Sequence, residues 1–120
     1  PVSNEAGLFQ CSPSNTNPSL TIGEDGKTLR AANPDKINYV RLCATDDLQG
    51  DALAKYAYNT LGLRSALVID DTETYGKGLA DVFAKVFAEL GGTVVGREAA
   101  AKTTTDYSAI LSKYVPAAAK

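Results

Sequence analysis

Histidine, methionine and tryptophan are absent from the 120 residues, and only two cysteines occur. Without histidine there is no imidazole acid–base chemistry and no imidazole metal ligand. Two cysteines cannot close a tetrahedral thiolate site, so no metal and no cofactor are expected. Lys and Arg number 12 against 14 Asp and Glu, for a net charge of −2. A chain without basic excess has no surface for tracking phosphates, and a nucleic-acid partner is excluded. No apolar run approaches the ~20 residues that span a bilayer. The opening PVSNEAG lacks the basic-then-apolar order of a signal peptide, so the chain as given reads as soluble. Starting at Pro1 without Met, it reads as a processed piece.

What is present suffices for one modest globular domain: 44% of residues are hydrophobic. Four segments read as strands, namely Leu8 to Cys11, Tyr39 to Cys43, Ser65 to Asp70 and Thr93 to Gly96. The clearest helical stripe is Leu79, Val82, Phe83, Val86, Phe87 and Leu90, closed by Gly91 and Gly92. An earlier helix is predicted from about Asp47 to Leu61, with Leu48, Leu53, Tyr56 and Leu61 as buried positions, Asp46 or Thr45 as N-cap and Gly62 as stop. A last one starts near Asp106, with Tyr107, Ile110, Leu111 and Tyr114 on its apolar side and Pro116 after it. Residues 12–38, rich in Pro, Gly, Ser, Asn and Asp, read as a long ordered loop. The EAAAK run from Glu98 reads as a solvated loop or a single helical turn. Strand, helix and strand within Ser65 to Gly96 make a βαβ unit with parallel strands, and the fold class is α/β.

In open parallel sheets small molecules bind beyond the carboxyl ends of the strands. Three polar clusters stand there: Ser12 to Asn17, Ala44 to Asp47 and Asp71 to Gly76. Hydroxyls and free N–H groups around Ser14, Asn15 and Thr16 suit a carboxylate, which only accepts hydrogen bonds. The carboxylates of the other two clusters suit an ammonium group, and Tyr75 offers an aromatic face. Together they fit a zwitterion such as an amino acid. Each cluster also has a plainer reading. Ser12 to Asn17 could be a turn bonding its own backbone, Asp46 a helix cap, Asp70 with Asp71 a solvated strand end, and Tyr75 a residue packed on the next helix. YGKG is too short a glycine pattern for a nucleotide site.

At these clusters the chain resembles the type I periplasmic solute-binding proteins of ABC transporters, in particular the branched-chain amino acid binding group. The matching strings are NEAGLFQCSPSNTNPSLT, YVRLCATDDLQGDALAKYA, ALVIDDTETYGKGLADVF, and ELGGTVVG followed by TTTDYSAIL. The resemblance implies parts of two α/β lobes, with residues 1–45 in the first and 46–120 in the second. It implies a non-enzymatic receptor that holds an amino acid in an interlobe cleft and is recognised, when closed, by a membrane permease. Its location would be periplasmic or extracellular, with a lipid anchor compatible in the full-length form. Ser14 and Thr16 look like the anchor for the ligand's carboxylate, Tyr75 like the aromatic that covers it, and Asp46 like a position that holds the ammonium. Family members are about three times longer, so a truncated piece with open sheet edges and weak or no solute binding is expected. An extracytoplasmic setting permits a Cys11–Cys43 disulfide, the alternative being two buried thiols. From a different class, a flavodoxin-like or receiver-like regulatory domain would use Asp70 and Asp71 to bind Mg²⁺.

Overall fold

The computed structural model describes residues 1–114, which divide between a compact unit Pro1–Leu48 and a second that begins at Gln49. In the first unit, α1 (Val2–Glu5) precedes β1 (Gln10–Ser12), and a 3₁₀ turn at Pro18–Leu20 leads to α2 (Gly23–Leu29) and then β2 (Tyr39–Arg41). Strands β1 and β2 pair in parallel, Gln10 opposite Tyr39 and Ser12 opposite Arg41. α3 (Asp46–Lys55) begins in the last residues of the first unit and runs on in the second into a π-helical turn at Tyr56–Thr60, followed by β3 (Ser65–Asp70), α4 (Thr74–Glu89), β4 (Thr93–Ala99) and α5 (Ser108–Leu111). Strands β3 and β4 are parallel neighbours, as the βαβ reading requires, with a register shift after Ala66 that leaves Val95 as an extra residue. The fold is α/β, with parallel strands flanked by helices.

The core of the second unit forms around Phe87, which is fully buried, stacked on Phe83 at 5.5 Å and met edge-on by Tyr58 at 5.9 Å. The predicted α4 stripe is the face that packs, and the helix gives way at Gly91, whose φ of +97° a side chain would strain. The first helix differs from expectation in which face it buries. Leu48, Leu53, Tyr56 and Leu61 are exposed, Leu48 by 61%, and Gly50, Ala54 and Ala57 are buried instead. The reason is a close approach to α4, where a Cβ on Gly50 would stand 2.7 Å from that of Val82 and 3.1 Å from the Leu79 carbonyl oxygen. Small residues admit that approach, and the large ones are left on the outside. Asp46 lies within the first turn of α3 and not ahead of it.

Other boundaries move for equally local reasons. β1 begins two residues later than predicted, β2 ends at Arg41, and β4 runs through Glu98 and Ala99, so the EAAAK run opens as strand. The Glu98 carboxylate there accepts from the Tyr114 hydroxyl at 2.5 Å and is paired with Lys113 at 3.1 Å, contacts that a helical spacer would not make. α2 interrupts the supposed loop. Its two glycines read as breakers, but Gly26 is buried where a Cβ would lie 2.6 Å from the Thr21 carbonyl carbon. The helix near Asp106 is a single turn, Ser108–Leu111, with Asp106 Oδ1 accepting from the Ser108 N–H at 2.8 Å; Pro116 lies outside the described residues. Both cysteines are free thiols, Cys11 exposed and Cys43 half-buried, so neither the disulfide nor the pair of buried thiols is found. Among the described residues no helix is long and apolar enough to cross a membrane.

A charged network closes the end of the β3–β4 sheet. Arg97 on β4 pairs with Asp70 and, at 2.8 Å, with Asp81 of α4, which is also held by Lys77 at 2.6 Å. The Thr72 N–H, donating to Asp70 Oδ1, and the Arg97 guanidinium hold the Asp70 carboxyl below the usual aspartate range; Lys77 and Arg97 do the same for Asp81. A carboxyl lowered on folding stabilises while it is charged. The contribution is present above the ordinary aspartate value and lost as pH falls through the lowered one, below about pH 4. The difference in melting temperature between the protein and Asp70→Asn is therefore expected to be full at pH 6 and to shrink below about pH 4. A difference that stays constant down to pH 2 would sink the assignment.

Candidate functional site

The loop that follows β1 carries Ser14, Asn15 and Thr16, and its shape is fixed by what its carbonyl groups meet. Ser12 Oγ accepts from the Ser14 N–H at 3.3 Å and the Asn15 N–H at 3.0 Å, and Asn17 Oδ1 accepts from the Ser19 N–H at 2.9 Å. The self-bonded turn is thus real at Ser12 and Asn17. The Asn15 carbonyl accepts from Arg41 at 3.2 Å and from the Cys43 thiol at 3.4 Å, and the Asn17 carbonyl from Arg41 at 2.8 Å. Between them the Thr16 carbonyl accepts from the Asp46 N–H at 3.0 Å. Three successive carbonyls are occupied, whereas among the described residues the Ser14 hydroxyl and the Thr16 hydroxyl and N–H make no hydrogen bond. Donors left over at a strand end suit an acceptor-only ligand group.

Asp46 meets this loop through its backbone. Asp46 is 5% exposed, its Oδ1 has no hydrogen-bond partner among the described residues, and it stands inside the first turn of α3 and not at the N-cap position expected of it. A buried carboxylate oxygen without a donor is costly, and such a group invites an N–H from a ligand. Four of the five predicted site residues are therefore brought together in the first unit. Tyr75 stands in the first turn of α4 in the second unit, 51% exposed.

The cluster after β3 is already satisfied. Asp70 is engaged by Arg97 and by the Thr72 N–H at 2.7 Å, and Asp71 Oδ1 accepts from the Glu73 N–H at 3.0 Å. Thr72 takes a φ of +69°, a conformation rare for a β-branched residue, under the Asp70 carboxylate that holds its N–H. A Cβ on Gly76 would stand 2.1 Å from Asp71 Oδ1, so the YGKG glycine makes room for a loop carboxylate. Asp70 is committed to Arg97 and the Thr72 N–H, and among the described residues no group of three His, Cys, Asp or Glu could hold a metal ion. The receiver-like alternative is not favoured.

Two features were not foreseen from the residues. Arg41, the last residue of β2, holds the loop. A cavity of about 340 Å³ also opens beside β1 and β2, walled by Leu20, Leu29, Ile37 and Tyr39 among others; of the predicted residues it touches only Asn15. A single cation in the apolar alternation of YVRLC, at a strand end, was the available signal for Arg41.

The family model described as periplasmic binding protein matches residues 16–120. An amino acid binding protein of Pseudomonas aeruginosa is 33% identical over 93% of this chain and 27% of its own length. Leu/Ile/Val-binding protein homolog 3 of Brucella melitensis is 30% identical over 99% of this chain and 29% of its own. Among solved structures, the leucine binding protein LivK of Thermotoga maritima superposes with a TM-score of 0.75 at 32% identity, over 94% of this chain and 29% of that one. The chain spans less than a third of the length of these relatives. With the family model covering residues 16–120 and parallel α/β units of the matching fold, the chain belongs to the periplasmic binding protein family.

Proposed function

We propose that this chain supplies part of the solute-binding component of an ABC transporter, anchoring an α-amino acid by its carboxylate and ammonium groups. The observation that carries the reading is the free Thr16 N–H and hydroxyl on a loop whose Thr16 carbonyl is tied to Asp46, itself a buried carboxylate with an unpaired Oδ1. Ser14 and Thr16 take the ligand carboxylate, charge-assisted bonds being the stronger kind. Asp46 faces the ammonium. No bond in the solute is made or broken, so binding itself is the activity. The component works in the periplasm or outside the cell, and its protein partner is a membrane permease. Leucine is the probe of choice, because relatives carry the name Leu/Ile/Val-binding protein and the Streptococcus pneumoniae LivJ structure holds isoleucine.

The contacts of so short a chain fall below those of a full pocket, so affinity in the millimolar regime is expected. Titration of the ¹⁵N-labelled chain should shift the Ser14 and Thr16 amide signals with L-leucine and leave them in place with leucinamide, which lacks the carboxylate. Thr16→Val should weaken the response about tenfold. Equal responses to the acid and the amide would refute the carboxylate assignment.

A further inference from the structure

We infer that Arg41 is a positioning residue for the solute loop: it fixes the Asn15 and Asn17 carbonyls so that the Thr16 N–H and hydroxyl stay free for a ligand. The inference rests on the carboxylate reading of that loop. Arg41 stands opposite Ser12 at the end of the β1–β2 ladder, at the root of the loop that Ser12 begins. Its Nη1 donates to Asn15 O at 3.2 Å and Asn17 O at 2.8 Å, and its Nη2 to Thr21 Oγ1 at 2.6 Å. Thr21 Oγ1 in turn donates to Pro18 O at 3.4 Å, which ties the far end of the loop to the same guanidinium. Carbonyls on either side of Thr16 are thus drawn to one cation, while the Thr16 carbonyl between them is drawn to Asp46. In that alternation the Thr16 N–H has no carbonyl of its own loop to meet, and the loop stays ready to donate before any ligand arrives.

Three of the five guanidinium donors go to the loop, so Arg41 acts on the ligand through the geometry of Thr16. A lysine would keep the charge but lacks the planar fork that serves two carbonyls and a hydroxyl at once. This separates positioning from simple attraction of an anion. In the ¹⁵N-labelled chain, Arg41→Lys should speed amide exchange about tenfold at Asn15, Ser19 and Asp46, whose N–H groups donate to Ser12 Oγ, Asn17 Oδ1 and the Thr16 carbonyl, while exchange of the β1–β2 ladder amides and of the second unit stays unchanged. The leucine response at Thr16 should weaken by about the same factor. Thr21→Val, which removes one of the three acceptors, should give a smaller effect in the same direction.

Unchanged exchange at Asn15, Ser19 and Asp46 in Arg41→Lys would overturn the positioning role, as would a normal leucine response. Loss of the ladder protection in Arg41→Lys would also overturn it, by making the residue a general support of the unit. Were the unaltered chain to show no response to L-leucine, the carboxylate reading would fall on its own; the exchange arm would still decide whether Arg41 orders the loop.

Discussion

Replacing Phe87 with alanine is expected to unfold the second unit at ambient temperature. The side chain has no exposed surface and is the large member of a small core, packed with Ala54, Ala57, Phe83, Val86 and Tyr58. Truncation removes a stacked and an edge-on aromatic contact together. Deletion of a buried phenylalanine costs about 3–5 kcal/mol, which is comparable to the whole stability of a small domain. Relaxation into the void is limited, because a Cβ on Gly92 would already stand 2.3 Å from the Phe87 ring and Gly50 holds α3 against Val82. Phe87→Leu, closer in volume, should retain a cooperative urea transition with a lower midpoint. A Phe87→Ala protein with an unchanged midpoint would show that the core is placed elsewhere.

The first unit has no comparable apolar centre, and its most sensitive point is an amide. Asn4 is 2% exposed, and its Nδ2 donates to Asn33 O at 3.2 Å, Lys36 O at 3.4 Å and Asn38 Oδ1 at 3.1 Å. Its Oδ1 accepts from the Asn33 N–H at 2.8 Å, and Asn33 returns a bond to the Asn4 carbonyl at 2.9 Å. Asn38 continues the network to Leu8 O at 2.9 Å, just before β1. This polar cluster joins α1 to the approach of β2. Asn4→Leu fills the volume but leaves buried donors and acceptors unpaired, each worth about 1–3 kcal/mol. Loss of the first unit's dispersed amide signals is expected. Asn4→Asp should be nearly as damaging, because it sets a second acceptor against three acceptors. Retention of those signals in both variants would refute the role given to Asn4.

How much of this was legible in the sequence depends on what did the packing. β3 and α4 were readable because large apolar side chains make the contacts, as a short apolar run in SALVID and a 3.6-residue stripe in α4, and both survive in one dimension. α3 was read as a helix with the wrong face, since its contact with α4 is made by Gly50, Ala54 and Ala57, which a hydrophobic pattern ranks below Leu48 and Tyr56. The Asn4 network and the Arg41 clamp join residues 20 to 35 positions apart. Polar contacts at that range leave no periodicity to read. The Ser14 to Thr16 loop was legible as a donor-rich strand end, and Asp46 as an acidic residue near it. What could not be read is which donors the fold itself consumes, and this distinguishes Ser12 and Asn17 from Thr16.

The two parallel pairings join strands whose opposed residues lie roughly 30 positions apart, Gln10 with Tyr39 and Ser65 with Thr93. Closing loops of nearly equal length carries nearly equal entropy, so topology alone assigns both ladders the same folding speed. They differ in what lies between the strands. The second loop contains the 16 residues of α4, which can order within microseconds and draw β4 toward β3, whereas the first has only the seven residues of α2 and must close largely as coil. Folding order is therefore set inside the loops: the ladder bridged by α4 forms first, and the ladder that carries the Ser14 to Thr16 loop forms last.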